Sequence, residues 1–225
     1  MKAVIFAAGL GTRLRPLTDT LPKPMIEVGG KPILRHTLEA LPASVSEAVV
    51  VVGYKGEMIR AHLADSVLPV RVVEQAELLG TYDALMSAHP FLDDAPFLAL
   101  NGDDLYAKED LARLSASEPF AMLAHRVPNP SPYSHLEADA GFLKSIVFQK
   151  DAEGLPSKDV YVGACLLDAR FFTLEPGMTP GGEFGLPHTL EKHLNKIPVR
   201  VLESTFWMPI GTPEELDAAR ARFAA

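Results

Sequence analysis

Val4-Ile5-Phe6-Ala7-Ala8-Gly9-Leu10-Gly11-Thr12-Arg13-Leu14-Arg15-Pro16-Leu17-Thr18, closed by Leu21-Pro22-Lys23-Pro24-Met25, is the stretch on which the fold turns. An apolar, β-capable run passes straight into small residues and glycines. A buried strand is therefore expected to end in a loop whose backbone approaches a ligand with no Cβ in the way. Successive backbone N–H groups in such a loop surround an anion, and Arg13, Arg15 and Lys23 add fixed positive charge beside it. The expected phosphate cradle is Ala7, Ala8, Gly9, Gly11, Thr12 and Arg13, and it suits a triphosphate better than a neutral metabolite. Two other glycine-loop readings fail. Leu14 stands where a dinucleotide fingerprint needs its third glycine or alanine, and the Gly-Lys-Ser/Thr ending of a P-loop is missing.

Outward from the loop, 225 residues with 48% hydrophobic content fit one large α/β domain. The expected division is a half over 1–115 that carries the phosphate loop and a lid half over 116–225. A net charge of -8 argues against general nucleic-acid binding, which needs a surplus of clustered Lys and Arg. A lone cysteine, Cys165, forms no internal disulfide, and its apolar surroundings make it a buried filler. No stretch reaches the roughly 18 apolar residues that cross a bilayer. With no apolar leader after Met1, a cytoplasmic location is expected, with no membrane partner.

Residues 2–7 read as a strand and Pro32 to Leu41 as a helix. Ala48 to Val52 is a nearly continuous apolar strand of the kind buried on both faces of a parallel sheet. Gly56 to Ala64 reads as helix, Val70 to Glu74 as strand, Thr81 to Ala88 as helix and Phe97 to Leu100 as strand. This alternation predicts a Rossmann-like, doubly wound, mostly parallel sheet flanked by helices, with ligands at the carboxyl ends of the strands. Gly9 to Arg13, Gln75 and Asp103 all fall at that edge. Phe120 to His125, Phe142 to Gln149 and Val160 to Leu167 are longer strands, separated by a Pro-rich segment (Pro128, Pro130, Pro132) and by the turn-rich Asp151 to Ser157. Mixed or antiparallel pairing is expected there, forming a smaller β-rich lid. Helices over 185–194 and 213–223 flank a strand at 198–203, and Thr212-Pro213-Glu214-Glu215 is a strong helix start.

Three motifs carry a family resemblance. The loop with Pro22-Lys23-Pro24-Met25 resembles the nucleotide loop of the sugar-1-phosphate nucleotidyltransferases. Gln75-Ala76-Glu77-Leu78-Leu79-Gly80-Thr81 is similar to their base-recognition segment, and Asn101-Gly102-Asp103 to their metal-binding strand end. The resemblance implies that family's nucleotide-diphospho-sugar transferase fold. It also implies transfer of a nucleotidyl group from an NTP to a sugar 1-phosphate, giving an NDP-sugar and pyrophosphate. Arg13 would hold the β and γ phosphates, Lys23 would bridge the sugar phosphate and the α-phosphate, and Asp103 would hold Mg²⁺. A lysine between two anions offsets their repulsion, which agrees with that role.

Gln75 offers a donor and an acceptor to the edge of uracil or thymine, so UTP or dTTP is the expected nucleotide. Gly80 leaves room for a base and Thr81 is placed to cap the following helix. Asp104 reads as a supporting partner of Asp103 or a helix-start charge. Three departures from the family stand out. Pro209, in Trp207-Met208-Pro209-Ile210-Gly211-Thr212, replaces the aspartate of a Trp-x-Asp-x-Gly-Thr segment. Phe148-Gln149-Lys150 replaces a Glu-Lys pair, and Tyr161 stands where relatives often carry asparagine. Lys150 is the expected second phosphate contact, with Gly141 and Tyr161 as the sugar wall. Phe171, Phe172, Phe184 and Trp207 read as core or as contacts to a second copy in a homo-oligomer. Two rival functions remain: a nucleotide-sugar sensor with disabled chemistry, motivated by Pro209, and a CTP-dependent enzyme for phosphocholine-like substrates.

Overall fold

The computed structural model describes residues 1–66, 68–128, 133–148 and 158–224. The first half alternates as its pattern requires. β1 (Lys2–Ala7) leads to a ribbon of β2 (Glu27–Val28) and β3 (Lys31–Pro32), then α1 (Ile33–Ala40), β4 (Glu47–Val52), α2 (Gly56–Leu63), β5 (Val70–Glu74), α3 (Thr81–Ala88) and β6 (Phe97–Asn101). Next come β7 (Asp104–Tyr106), α4 (Lys108–Ser115), β8 (Ala121–Val127), β9 (His135–Asp139), β10 (Phe142–Val147) and β11 (Lys158–Leu167). The chain closes with β12 (Gly177–Met178), β13 (Phe184–Gly185), α5 (Leu186–Lys192), β14 (Arg200–Glu203), β15 (Trp207–Pro209) and α6 (Pro213–Arg222).

Nine strands form one mixed sheet in the order β5-β4-β1-β6-β11-β8-β14-β10-β9. β1 runs parallel between β4 and β6, with Ile5 opposite both Val50 and Leu100. Their carboxyl ends therefore open on the same edge, which brings the loop after Ala7 beside the turn after Asn101. β11 is antiparallel to β6 and to β8, so the strands of the second half extend this sheet sideways.

Helices cover both faces. Ala3, Ile5 and Ala7 point into a core shared with Leu34 of α1, Ile59 of α2 and Leu111 of α4. Val4 points the other way, toward Leu85 of α3 and Leu190 of α5. Covering on both sides explains why β4 reads as an unbroken apolar run: Ala48 to Val52 are all buried. Each such aliphatic side chain contributes about 1.5–3 kcal/mol of burial free energy.

A third, smaller core lies under the phosphate loop, where Leu14, Ile26, Val28 and Ile33 meet Leu105, Ile210 and the α6 residues Leu216 and Ala219. The predicted helix start at Thr212 is a full capping box. Thr212 Oγ1 accepts from Glu215 N at 3.3 Å, and Glu215 Oε2 accepts from Thr212 N at 3.0 Å. Helix α4 and strand β9 were not expected from the sequence. Ala107 at the α4 N-cap offers no side-chain acceptor, and the alternation of β9 rests on Leu136 and the small Ala138 alone.

Candidate active site

The loop after β1 is built on one left-handed residue, Gly11, at φ +63°. A Cβ there would lie 2.9 Å from Thr18 Cγ2 and 3.1 Å from Lys23 Cβ, so only glycine lets the three segments close together. Gly11 O accepts from Leu14 N and from Thr18 Oγ1, and Tyr54 Oη donates to Thr18 O, which fixes the far side of the loop. Phe6, Ala7, Gly9, Gly11, Thr12, Arg13, Lys23, Pro24, Asp103 and Gly211 line a cleft of about 200 Å³. Ala8 does not. Its carbonyl accepts from Tyr54 N at 3.3 Å.

A second chamber of about 200 Å³ adjoins the first, lined among others by Asn101, Asp104, Tyr133, Tyr161, Trp207 and Glu215. Arg13, Lys23, Asp103 and Gly211 line both chambers and so form the seam between them. Lys23 is buried there, and its Nζ meets Asp103 Oδ2 at 2.6 Å. The Arg13 guanidinium lies over Gly211, where a Cβ would come within 3.1 Å of Nη2. Arg15 lines neither chamber and pairs with Asp19 at 3.3 Å on the surface.

Asp104 is buried and bonded by Asn101 Nδ2 at 3.3 Å. Burial first, and the neighbouring Asp103 charge second, push its carboxyl up to about 7. Lys23, Asn101 and Trp207 pull the other way. Asn101 reaches Asp104 because β11 bulges at Gly163, at φ +75°, where a Cβ would lie 2.1 Å from Asn101 Nδ2. Tyr106 Oη lies 3.1 Å from Val162 O in that bulge. On the opposite wall, Tyr133 Oη donates to Glu215 Oε1, and Glu215 Oε2 accepts from Gly211 N at 2.5 Å. Trp207 Nε1, beside the Asp104 carboxyl but outside hydrogen-bond geometry, is buried without a partner.

Several expectations need correction. Both amide hydrogens of buried Gln75 are spent inside the chain, on Gly80 O at 3.1 Å and Asp83 Oδ2 at 2.9 Å, leaving only Oε1 as a free group. The space beside Gly80 is filled by Phe184, whose carbonyl oxygen would lie 2.4 Å from an added Cβ. Thr81 does not cap its own helix, since its Oγ1 accepts from Leu186 N at 2.8 Å and ties α3 to α5. Gly141 lies in the exposed turn between β9 and β10, at φ +79°, and lines neither chamber. Lys150 lies outside the described residues.

Tyr161 does line the second chamber, with its hydroxyl 3.3 Å from Cys165 Sγ. Trp207, read as core or dimer contact, lines that chamber too. Tyr133 and Glu215 were missed. Glu215 carried a signal only as the third residue of a capping box, and Tyr133 carried none.

Residues 2–139 match the family described as nucleotidyl transferase. The bifunctional protein GlmU of Methanococcus maripaludis (strain C7) is 31% identical over 229 residues, covering 99% of this chain and 54% of that protein. The chain thus spans about half the length of the curated relatives it matches. Among solved structures, the inositol-1-phosphate CTP transferase from T. maritima superposes with a TM-score of 0.82 at 20% identity, covering 99% of this chain and 95% of that one. UDP-glucose pyrophosphorylase complexed with UDP-glucose gives 0.84 at 18% identity, covering 99% and 98%. The chain shares the nucleotide-diphospho-sugar transferase fold of these neighbours. The chain belongs to the nucleotidyl transferase family.

Proposed function

We propose that the chain transfers the nucleotidyl group of an NTP to a sugar 1-phosphate, giving an NDP-sugar and pyrophosphate. The observation that carries this reading is the shared seam, because two chambers meeting at Arg13, Lys23 and Asp103 suit two phosphorylated substrates whose phosphates must touch. The 1–115 half supplies the phosphate loop and the 116–225 half much of the acceptor wall. In the transfer, a phosphate oxygen of the sugar attacks the α-phosphorus. The bond from that phosphorus to the oxygen bridging to Pβ breaks, and pyrophosphate leaves with the electron pair.

Lys23 is held on the seam by Asp103, so its ammonium is already in place where like charges close on each other. Arg13 is assigned the β and γ phosphates. A hydrated Mg²⁺ fits Asp103, an oxygen donor that lines both chambers and keeps about a third of its side chain exposed. When bound it would neutralise charge on the α-phosphate. Tyr161, Ser134 and the Tyr133–Glu215 pair give the acceptor chamber the polar wall that sugar hydroxyls need.

UTP or dTTP is the proposed nucleotide, with Gln75 Oε1 accepting from the ring N3–H. CTP is the second reading, favoured by the same observation, because a lone acceptor oxygen also suits the cytosine amino group. Incubation with Mg²⁺, each of five NTPs (dTTP included) and a panel of sugar 1-phosphates and phosphocholine, with pyrophosphate as readout, tests all of this. Turnover with UTP or dTTP and a sugar 1-phosphate is expected. CTP preference would reassign Gln75 Oε1 from a ring N3–H to the cytosine amino group, and tight NTP binding with no pyrophosphate from any pairing would favour the sensor.

A further inference from the structure

We infer that Asp104 supplies a second carboxylate to a divalent cation held between the two chambers, in place of the side chain that Pro209 lacks. Pro209 is the ladder partner of Asp104 in the β7–β15 pair, so the two positions face each other across a strand pair. Cross-strand partners lie about 4.5–5.5 Å apart at Cα, close enough for one to serve a ligand the other cannot reach.

The charge count around Asp104 also points to a cation. Asp103 and Asp104 are adjacent and line the same chamber, while the one ammonium between them, Lys23 Nζ, is bonded to Asp103 at 2.6 Å. Among the described residues Asp104 makes no ion pair. Its polar neighbours are the neutral Asn101 amide and the Trp207 indole, and Tyr133 and Tyr161 line the same chamber. An independent observation concerns the other half of a metal site. Trp207 is nine-tenths buried and lines the chamber, and its Nε1–H meets no acceptor in hydrogen-bond geometry among the described residues. An indole N–H beside the Asp104 carboxyl is suited to an oxygen of the cation's shell, either water or phosphate. Oxygen ligands, two carboxylates and room for waters describe a site for Mg²⁺ or Mn²⁺.

The inference rests on the transfer reading only for the phosphate that completes the shell, and its test does not need turnover. Mn²⁺ binding to the full chain is followed by the loss of the free-ion EPR signal, with Mn²⁺ alone and with a non-hydrolysable UTP analogue. Asp104→Asn should weaken Mn²⁺ binding by about tenfold or more without lowering the melting temperature. Adding Pro209→Asp to that variant should recover most of the loss. Unchanged Mn²⁺ affinity in Asp104→Asn overturns the inference, as does a double variant that binds no better than the single one. Should Asp104→Asn not fold, Asp104→Glu decides, since it keeps the charge and moves the carboxylate by one methylene: Mn²⁺ affinity changed by about fivefold or more supports the inference, and unchanged affinity overturns it. Pyrophosphate release in the same samples separates the two claims. Asp104-dependent Mn²⁺ binding without turnover sinks the transfer reading alone, and turnover with Asp104-independent binding sinks this one alone.

Discussion

Lys23 is a loop lysine that the fold has buried, and the proline on either side fixes the backbone that carries it. Its charge is wanted most when the two phosphates converge. Lys23→Ala should therefore lower pyrophosphate release by about 10²-fold or more while the NTP Kd moves by less than roughly tenfold. Turnover kinetics beside calorimetric binding would check this, and an unchanged rate would remove Lys23 from the chemistry.

Cys165 shows the opposite use of burial. Its thiol is pushed up to about 12 by desolvation, against the pull of the Tyr161 hydroxyl, so almost no thiolate exists at pH 8. Labelling by iodoacetamide at that pH should track the opening of the whole sheet, and fast labelling of the folded chain would contradict the burial described here.

At the scale of elements, the bulge in β11 and the anchor of α4 both position the second chamber. Gly163→Ala places a methyl where Asn101 lies and forces an alanine to positive φ, at a cost of about 1–3 kcal/mol. Urea unfolding should show that loss together with reduced turnover, because Asn101 is driven away from Asp104.

Asp110, in the first turn of α4, holds the segment that leads into β15. Its Oδ2 accepts from Thr205 N at 2.7 Å, Thr205 Oγ1 at 3.0 Å and Phe206 N at 3.2 Å, and Oδ1 accepts from Arg113 at 2.7 Å. Burial opposes the charge, but these donors outweigh it and hold the carboxyl below its ordinary range. A depressed folded pKa stabilises the fold above the unfolded value and loses that contribution as pH falls through the folded one. Asp110→Asn should therefore cost about 2 kcal/mol near neutrality, where charge-assisted bonds are intact. The gap from the parent chain should close as the pH drops below about 4. Urea titrations across that range measure it, and a gap independent of pH would show that the charge plays no part.

For the molecule as a whole, what the sequence disclosed follows from how local each signal is. Ala48 to Val52 announces a two-faced strand because every residue in it is apolar, and Gly11 announces the loop because no other residue tolerates its neighbours. Gln75 and Gly80 show the limit of such reading. Their segment resembles a ligand contact, yet its amide is met by Gly80 and by Asp83 in the first turn of the following helix, and its vacancy by Phe184 from far along the chain. Tyr133 and Glu215 could not be found in advance, because they become a pair only when residues 82 positions apart fold together. Asp104 was read as secondary because nothing local reveals that it will face Pro209 across a ladder.

The ten residues of α6 reach from one part of the site to another. At its head Glu215 braces the acceptor wall, and just past its tail Phe223 fills the space against Gly29, beneath the footing of the phosphate loop. A single stiff rod thus runs from the acceptor wall to the packing beneath the loop. Under the proposed transfer, a first guest that stills one end of the rod would leave less for the second to order.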